Sequence, residues 1–595
     1  MPARRFPTDR STPTEVAVRA ALAEAAPGAP DGEALISACR SLLDATAGPA
    51  TRAAAGRGGL AGLAGQWPVL AGAGARRVAG AWYTPTSVVD HLTGLALPPP
   101  VGGDDAAGRS GGVVDPACGT GAFLVAAART VAARSARSVA DVLGAGEVRG
   151  VERDPVAAAL CRLVLAEAAG APVPDEVVVV ADALRDPWPL DRELDAVVGN
   201  PPFLSPLNLL TAPDGEARAG RRARFGEAAA GAYTDAAALF MLLALDVVRA
   251  GGRIALVQPL SFLGARDTAG VRAALARRAT LVALWDAGPG GAFPGTDARP
   301  CAPGVEVGPP AAGPCARATG VPPRRRPAVA VRPDDLAARS WAGLVAATAG
   351  VPRIRRSPTG PVTRLGDHAT VSADFRDRYY ALVAHVVEAD GVAAGARLAP
   401  LVTAGLIDPC RCRWGERPAR FAKRAWQAAA VDLDRLAADP DTAAWAWRRL
   451  VPKVLVASQT RVLEAVVDEA GAWLPSVPVL TLVAPPERLW HLAAAVLSPA
   501  VAAAAATAHG GTALSPGSLR VSAALLRDLP APVDPTAWDD GAAAAVAAQR
   551  AAEAGDEPAW QAALEALGEA MVAAHAVAVG DRPALLTWWQ ARLPR

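Results

Sequence analysis

Between about residues 76 and 300, short all-apolar runs alternate with longer stretches of helical spacing. The runs at 112–114, 148–151, 177–180, 194–198 and 254–257 predict strands buried on both faces, and 122–134, 157–168 and 236–249 predict helices between them. That alternation predicts an α/β domain with a mostly parallel sheet. Ahead of it, residues 1–75 are alanine-rich, with helical spacing at 16–26 and 33–45 and glycine-rich text at 56–65. They read as a helical N-terminal segment without chemistry. Residues 301–330 are rich in proline and glycine and read as a loop or linker, with room for one last strand at 305–307, ending in Arg324-Arg325-Arg326. The domain built on the alternating pattern is expected to span 76–345. From 361 to 535 shorter mixed segments with many arginines and tryptophans predict a second, α+β domain, and 536–595 predict a helical tail.

Composition narrows the function classes. At 595 residues the chain has room for about four compact units of roughly 150 residues each. Its 60 basic and 58 acidic residues nearly cancel, so any grip on nucleic acid must come from a local patch. Only Lys423 and Lys453 are lysines. Neither stands in a Gly-Lys-Ser/Thr loop, which excludes a P-loop ATPase. Phe421 and Val451 occupy the positions two residues before them, which excludes a nuclease core of the acid-x-lysine kind. The seven cysteines are scattered, as suits reduced thiols in a cytosol. Cys410-x-Cys412 has neither a second pair nor a suitably spaced histidine, so no metal site is expected. The first fifteen residues hold no apolar segment of the secretory kind, and the apolar run at 499–508 is too short for a bilayer. A cytoplasmic protein without a membrane partner is expected.

Candidate chemistry sits at the ends of the predicted strands. Val113-Val114-Asp115-Pro116-Ala117-Cys118-Gly119-Thr120-Gly121-Ala122-Phe123 runs from a buried strand through a tight glycine turn into a helix, so backbone can approach a ligand at a helix N-terminus. By itself this could equally be an ordinary strand-to-helix turn or a dinucleotide site. Glu152 follows the second strand, where a ribose diol could be gripped, and Asp182 follows the third, where it could accept from an adenine amino group. Either acid could instead be a helix cap. The fourth strand ends in Asn200-Pro201-Pro202-Phe203. Its prolines fix the backbone and remove amide donors, so the Asn200 side-chain carbonyl and the Pro201 carbonyl can converge on one amino group beside an aromatic ring. A plain turn is the alternative.

This series, Asp-Pro-Ala-Cys-Gly-Thr-Gly-Ala-Phe-Leu, Glu152, Asp182 and Asn-Pro-Pro-Phe, resembles the adenine-N6 DNA methyltransferases that use S-adenosylmethionine. Gly80-Ala81-Trp82-Tyr83-Thr84-Pro85 ahead of the glycine loop resembles the family's cofactor-closing element and implies the gamma motif order of restriction-modification enzymes. The resemblance implies a doubly wound Rossmann-like methyltransferase sheet followed by a target-recognition domain. It implies Tyr83, Thr84 and Pro85 near the methionine part of the cofactor, and Asp115, Pro116, Ala117, Gly119 and Gly121 along its amino-acid and ribose approach. Phe123 is expected beneath the loop, Glu152 on the ribose hydroxyls and Asp182 on the adenine. Asn200, Pro201, Pro202 and Phe203 are the implied catalytic residues, acting on an adenine flipped from the duplex. Phe293 matches the position of the family's second aromatic wall and could equally be a loop anchor.

The stretch 411–426 carries Arg411, Arg413, Arg417, Arg420, Lys423 and Arg424 against Glu416, interleaved with Trp414, Phe421 and Trp426. Read as a DNA contact, it supplies Arg411, Arg413, Trp414, Arg420, Lys423 and Arg424; read otherwise, it is a solvated helix face. The expected partners are double-stranded DNA and separate restriction-endonuclease or defence subunits. Two other readings stay open: a methyltransferase acting on a protein glutamine or an RNA amino group, and a non-catalytic DNA-binding subunit with the same fold.

Overall fold

The computed structural model describes residues 84–98, 112–191, 193–203, 215–229, 234–288, 291–292, 299–338, 340–346, 350–357, 361–373, 376–391, 396–509 and 519–594. The helical segment expected over 1–75, Tyr83 and Phe293 lie outside these residues. The chain divides between Ser340 and Trp341 into two units.

The first unit is built on a mixed sheet. Its strands β1 (Gly112–Asp115), β2 (Val148–Glu152), β3 (Val178–Val180), β4 (Leu194–Gly199), β5 (Val248–Leu256), β6 (Ala279–Asp286), β7 (Pro300–Val307), β8 (Gly313–Thr319) and β9 (Arg324–Val331) lie side by side in the order β9-β8-β6-β7-β5-β4-β1-β2-β3. From β3 to β5 every neighbouring pair is parallel. Their Val-rich runs are those of strands covered on both faces. Helices α1 (Thr86–Ala96), α2 (Ala122–Ser135), α3 (Pro155–Ala169), α4 (Ala236–Val247) and α5 (Ala269–Arg278) accompany them. In α4 residues 236–245 are all buried, because the helix is apolar all round and can only sit in a core. Each fully buried leucine or phenylalanine there contributes about 1.5–3 kcal/mol. Asp235 starts α4 by accepting from the Ala237 amide (3.0 Å).

The expected linker over 301–330 is instead most of three strands. β7 runs antiparallel between β5 and β6, and β8 and β9 form an antiparallel pair at the sheet's edge. Proline misleads here because Pro303 falls opposite a gap in the ladder. On the β5 side pairing stops at Ala255↔Gly304 and resumes at Gln258↔Cys301, so no donor is required of residue 303 on that side. Arg324, Arg325 and Arg326 then lie exposed on edge strand β9, where charge discourages pairing with another chain.

The second unit is α+β. Strands β10 (Thr370–Ala373), β16 (Lys453–Ala457), β17 (Glu464–Asp468) and β19 (Val479–Val483) form an antiparallel sheet. A second sheet joins β11 (Val386–Glu388), β15 (Ala429–Asp432), β12 (Leu398–Val402) and β18 (Leu474–Pro475). Between β12 and β15 in sequence stands a small hairpin, β13 (Ala419–Phe421) with β14 (Arg424–Trp426). Helix α6 (Arg376–Leu382) contributes Tyr379 and Leu382 to the core beneath it. Helices α7 (Leu489–Leu497), α8 (Pro499–His509), α9 (Pro535–Glu553) and α10 (Glu557–Ala574) pack with the first of these sheets around one large apolar core. Among the described residues no single helix is long and apolar enough to cross a membrane.

Candidate active site

Parallel strands deliver their C-terminal ends to one edge of a sheet, and the candidate residues gather there. Asp115 ends β1 and Glu152 ends β2. Asp182 follows β3 by two residues, and Asn200 follows β4 directly. The glycine loop bridges the first two. Gly119 N–H donates to Glu152 Oε2 (2.8 Å), Asp154 N–H donates to Oε1 (2.8 Å), and Cys118 N–H donates to the Val151 carbonyl (3.0 Å). The Glu152 carboxylate is thereby fixed from two sides, with lone pairs left for a further donor.

Two glycines with positive φ shape the loop. Gly121 has φ +91°, and a Cβ on it would come within 2.6 Å of Cys161 Sγ. Gly119 has φ +53°, and no described residue would come within 4 Å of a Cβ on it, just ahead of the α2 N-terminus. Cys161 in turn touches Cys118 (Sγ–Sγ 4.0 Å). That contact, with burial, pushes the Cys118 thiol well above its ordinary range, as befits a small core residue. Phe123 is buried in the same core below the loop.

Asp115 is buried and accepts from Ala117 N–H (3.0 Å). Burial pushes its carboxyl up to about 8; the Ala117 hydrogen bond opposes the shift and the charge of Glu152 adds to it. Burial also raises the Glu152 carboxyl, against its hydrogen bonds from Asp154 and Gly119. Neither acid has an ion pair with a basic side chain among the described residues. A buried and a half-buried carboxyl without a counter-charge, beside the glycine loop, suit a ligand that brings positive charge and hydroxyl donors.

At the end of β4, Asn200 Nδ2 donates to Thr84 Oγ1 (3.0 Å). Thr84 is buried and stands just ahead of α1. With its NH2 group held there, the Asn200 amide keeps its carbonyl oxygen as the acceptor it can offer elsewhere. Pro201 is buried, Pro202 is half-buried, and Phe203 is half-buried against the core of the unit. Asp182 accepts from Leu184 N–H (3.1 Å) and has Arg153 at 3.9 Å.

Residues 71–284 match the family model described as N-6 DNA Methylase. No curated protein matches the sequence. Among solved structures the chain is similar to the Type IIL restriction-modification enzyme MmeI in complex with DNA. Identity is 15%, the TM-score is 0.54, and the match covers 89% of this chain and 81% of that one. It is also similar to the type IIG restriction endonuclease BpuSI, at 13% identity and a TM-score of 0.41 over 86% of this chain and 69% of that one. A third is the type I restriction-modification methyltransferase subunit from Streptococcus thermophilus, at 16% identity and a TM-score of 0.32 over 51% and 67%. At these identities the MmeI likeness is one of fold.

Three residues of the first unit escape a reading along the sequence. Gly199 is one: a Cβ there would lie 2.3 Å from Asp115 Oδ1, so only glycine lets the β1 carboxylate lie over the end of β4. Val180 is another, 47% exposed at the end of β3, two residues from Asp182. Cys161, on α3, fills the space under Gly121. The Gly199 and Cys161 contacts depend on which elements are neighbours in space, which the linear order does not reveal.

In the second unit the basic stretch is not a helix face, and its members differ. Arg411 is tied to Glu416 and Glu557 (2.9 Å each), and Arg413 to Asp408 (2.7 Å) and Glu416 (3.2 Å). Their side chains are only 12% and 19% exposed. Arg417 pairs with the same Asp408. Trp414 Nε1 donates to the Ala429 carbonyl, and Phe421 and Trp426 are buried. The interleaved aromatics therefore hold the fold, and Arg420, Lys423 and Arg424 are left as the exposed cations of the hairpin.

Proposed function

We propose that the protein is a site-specific DNA methyltransferase that methylates adenine N6, working in restriction-modification or phage defence. The observation that carries this reading is Asn200, backed by Pro201 and Pro202, at the same sheet edge as Asp115, Glu152 and Asp182. Asp115, Gly119, Gly121, Glu152 and Asp182 would hold S-adenosylmethionine, with Tyr83, Thr84 and Pro85 closing near its methionine end. When bound, that cofactor supplies an electrophilic methyl group on a positively charged sulfur.

An adenine amino nitrogen is a poor nucleophile because its lone pair is delocalised into the ring. The Asn200 side-chain carbonyl and the Pro201 carbonyl, each accepting an N–H, would favour a more tetrahedral nitrogen and aim its lone pair. Asn200 then acts by position and electrostatics, since an amide is no general base. The base must leave the duplex to reach this edge, and Phe203 would return about 1–3 kcal/mol of the extrusion cost by stacking. The second unit would read the sequence, and a separate nuclease or defence subunit would act on the unmethylated sites.

Single-molecule sequencing of DNA from cells expressing the protein tests the reading. The expected result is N6-methyladenine at one sequence motif, absent with Asn200→Ala. Methyl groups found only on protein or RNA, or an Asn200→Ala pattern identical to the parent, would overturn it.

A further inference from the structure

The hairpin β13–β14 has a construction that its sequence does not announce. Its register is Ala419↔Trp426, Arg420↔Ala425 and Phe421↔Arg424, so only Ala422 and Lys423 connect the strands. Both have positive φ, 52° and 64°. A two-residue connection of this hand is normally made by Asn-Gly, because side chains at both positions are sterically disfavoured. Here an alanine and one of the chain's two lysines are held in it. The holding groups are identifiable. Ala422 N–H donates to Tyr379 Oη (2.7 Å), the Tyr379 ring lies 4.6 Å from that of Phe421, and Trp426 Nε1 donates to the Phe421 carbonyl (3.1 Å). Strain that surroundings hold in this way concentrates at working sites.

Alternation along the strands then sorts the side chains. Phe421 and Trp426 face the core, while Arg420 and its cross-strand neighbour Ala425 face solvent. Opposite an alanine, the Arg420 guanidinium projects from the outer face without a bulky neighbour across the ribbon. Lys423 stands exposed at the turn, and Arg424 lies 4.3 Å over the Trp426 ring. Among the described residues none of these three cations has an acidic partner, in contrast to Arg411, Arg413 and Arg417. The carboxylate of Glu388, on the neighbouring strand β11, is occupied by the amides of Gln427 and Ala428. Tyr380, 69% exposed, stands edge-on to Tyr379 at 5.4 Å and so adds an aromatic plane close to the same tip. A two-stranded ribbon is of a width that enters the major groove of duplex DNA, about 12 Å across.

We propose that this hairpin enters the major groove, with Arg420 on the O6/N7 edge of a guanine in the recognised sequence, and Lys423 and Arg424 on flanking phosphates. This rests on the reading of duplex DNA as substrate. It assigns sequence reading to three residues rather than to the whole stretch 411–426. Arginine is the residue suited to the fork geometry of that edge, and the compact lysine charge to a phosphate.

The test uses the full chain and its Arg420→Ala, Lys423→Ala and Ala422→Gly variants, with S-adenosylhomocysteine binding as a control that they fold. Methylated motifs are read by sequencing, and duplex binding by fluorescence anisotropy across a salt series. Arg420→Ala is expected to relax the motif at one G·C position and to weaken binding to the parent motif five- to a hundredfold. Lys423→Ala is expected to weaken binding to all duplexes alike and to lower the slope of log affinity against log salt by about 0.9. Ala422→Gly keeps every cation and is expected to bind as the parent does. An unchanged motif with Arg420→Ala, an unchanged salt slope with Lys423→Ala, or equal affinity for duplex RNA would each overturn the proposal. If the parent protein methylates no DNA, the methyltransferase reading fails separately. Anisotropy then decides alone: binding weakened by both cation variants supports the hairpin's role, and binding indifferent to them rejects it.

Discussion

Asn200 and Thr84, 116 residues apart in sequence, meet through a hydrogen bond from the Asn200 side-chain NH2 to the Thr84 hydroxyl oxygen. The contact fixes which end of the amide is free. On the proposed methyltransferase reading, Thr84 would act on the acceptor amino group through Asn200, in addition to lining the approach of the cofactor. Thr84→Val keeps the shape and removes the acceptor. It is expected to lower the single-turnover rate of methyl transfer about tenfold, as loss of roughly 1.4 kcal/mol would. Affinity for S-adenosylhomocysteine should change less than threefold, and Thr84→Ser should restore the rate. A variant that loses affinity and keeps its rate would place Thr84 on the cofactor alone.

Gly199 and Asp115 form a second dependent pair. Gly199→Ala places a methyl group 2.3 Å from the carboxylate oxygen, so either β4 or the Asp115 side chain must move. Overpacking of this kind costs about 1–3 kcal/mol, visible as a lower midpoint in urea unfolding. Cofactor binding should weaken by more than tenfold, because the carboxylate is displaced. Asp115→Ala combined with Gly199→Ala should recover the stability and leave the binding lost. Two losses of stability that simply add would mean the side chains do not collide.

The parallel half of the sheet and its strand-end acids are legible along the sequence because each carries its own signal. A Val-rich run ends in Asp115, Glu152, Asp182 or Asn200, and a parallel strand exposes its C-terminal end. β7 to β9 are not legible, since the proline at 303 looks like a strand breaker until the gap opposite it is known. The basic stretch misleads for a related reason. Arg411 finds Glu557 146 residues away, and Tyr379 reaches the hairpin turn from 43 residues upstream. Charge and aromaticity read locally cannot tell a reader of DNA from a brace.

The carboxyl of Asp115, raised to about 8 by burial, ties stability to pH and, on the proposed cofactor role, would tie binding to it as well. Between its ordinary value of 3.8 and about 8, the folded chain keeps a proton that the unfolded chain has lost. Folding stability from this group is therefore fully present below 3.8 and is lost as pH rises through 8. A positively charged ligand favours the ionised form, so its affinity should increase over the same rise. Thermal unfolding from pH 5 to 9, with and without S-adenosylmethionine, is expected to show a ligand-induced shift that grows with pH. Asp115→Asn should flatten both profiles; a parent shift that is constant with pH would remove Asp115 from the linkage.

Lys453 and Asp468 form a wholly buried ion pair in the first sheet of the second unit, across β16 and β17. The Asp468 carboxylate also accepts from the amides of Ala472 and Trp473 (3.0 and 2.9 Å). Lys453→Met would leave that carboxylate buried with backbone partners only. Removing one member of such a pair typically costs about 3–5 kcal/mol. The two amides should hold the loss toward the lower end of that range. Changing both residues, Lys453→Met with Asp468→Asn, should recover part of it, since no uncompensated charge remains and the amides keep an acceptor. Urea unfolding of the full chain, followed by tryptophan fluorescence from Trp473 and its neighbours, checks both. A Lys453→Met variant as stable as the parent would show that the pair contributes nothing net and that the two amides alone keep Asp468 in place.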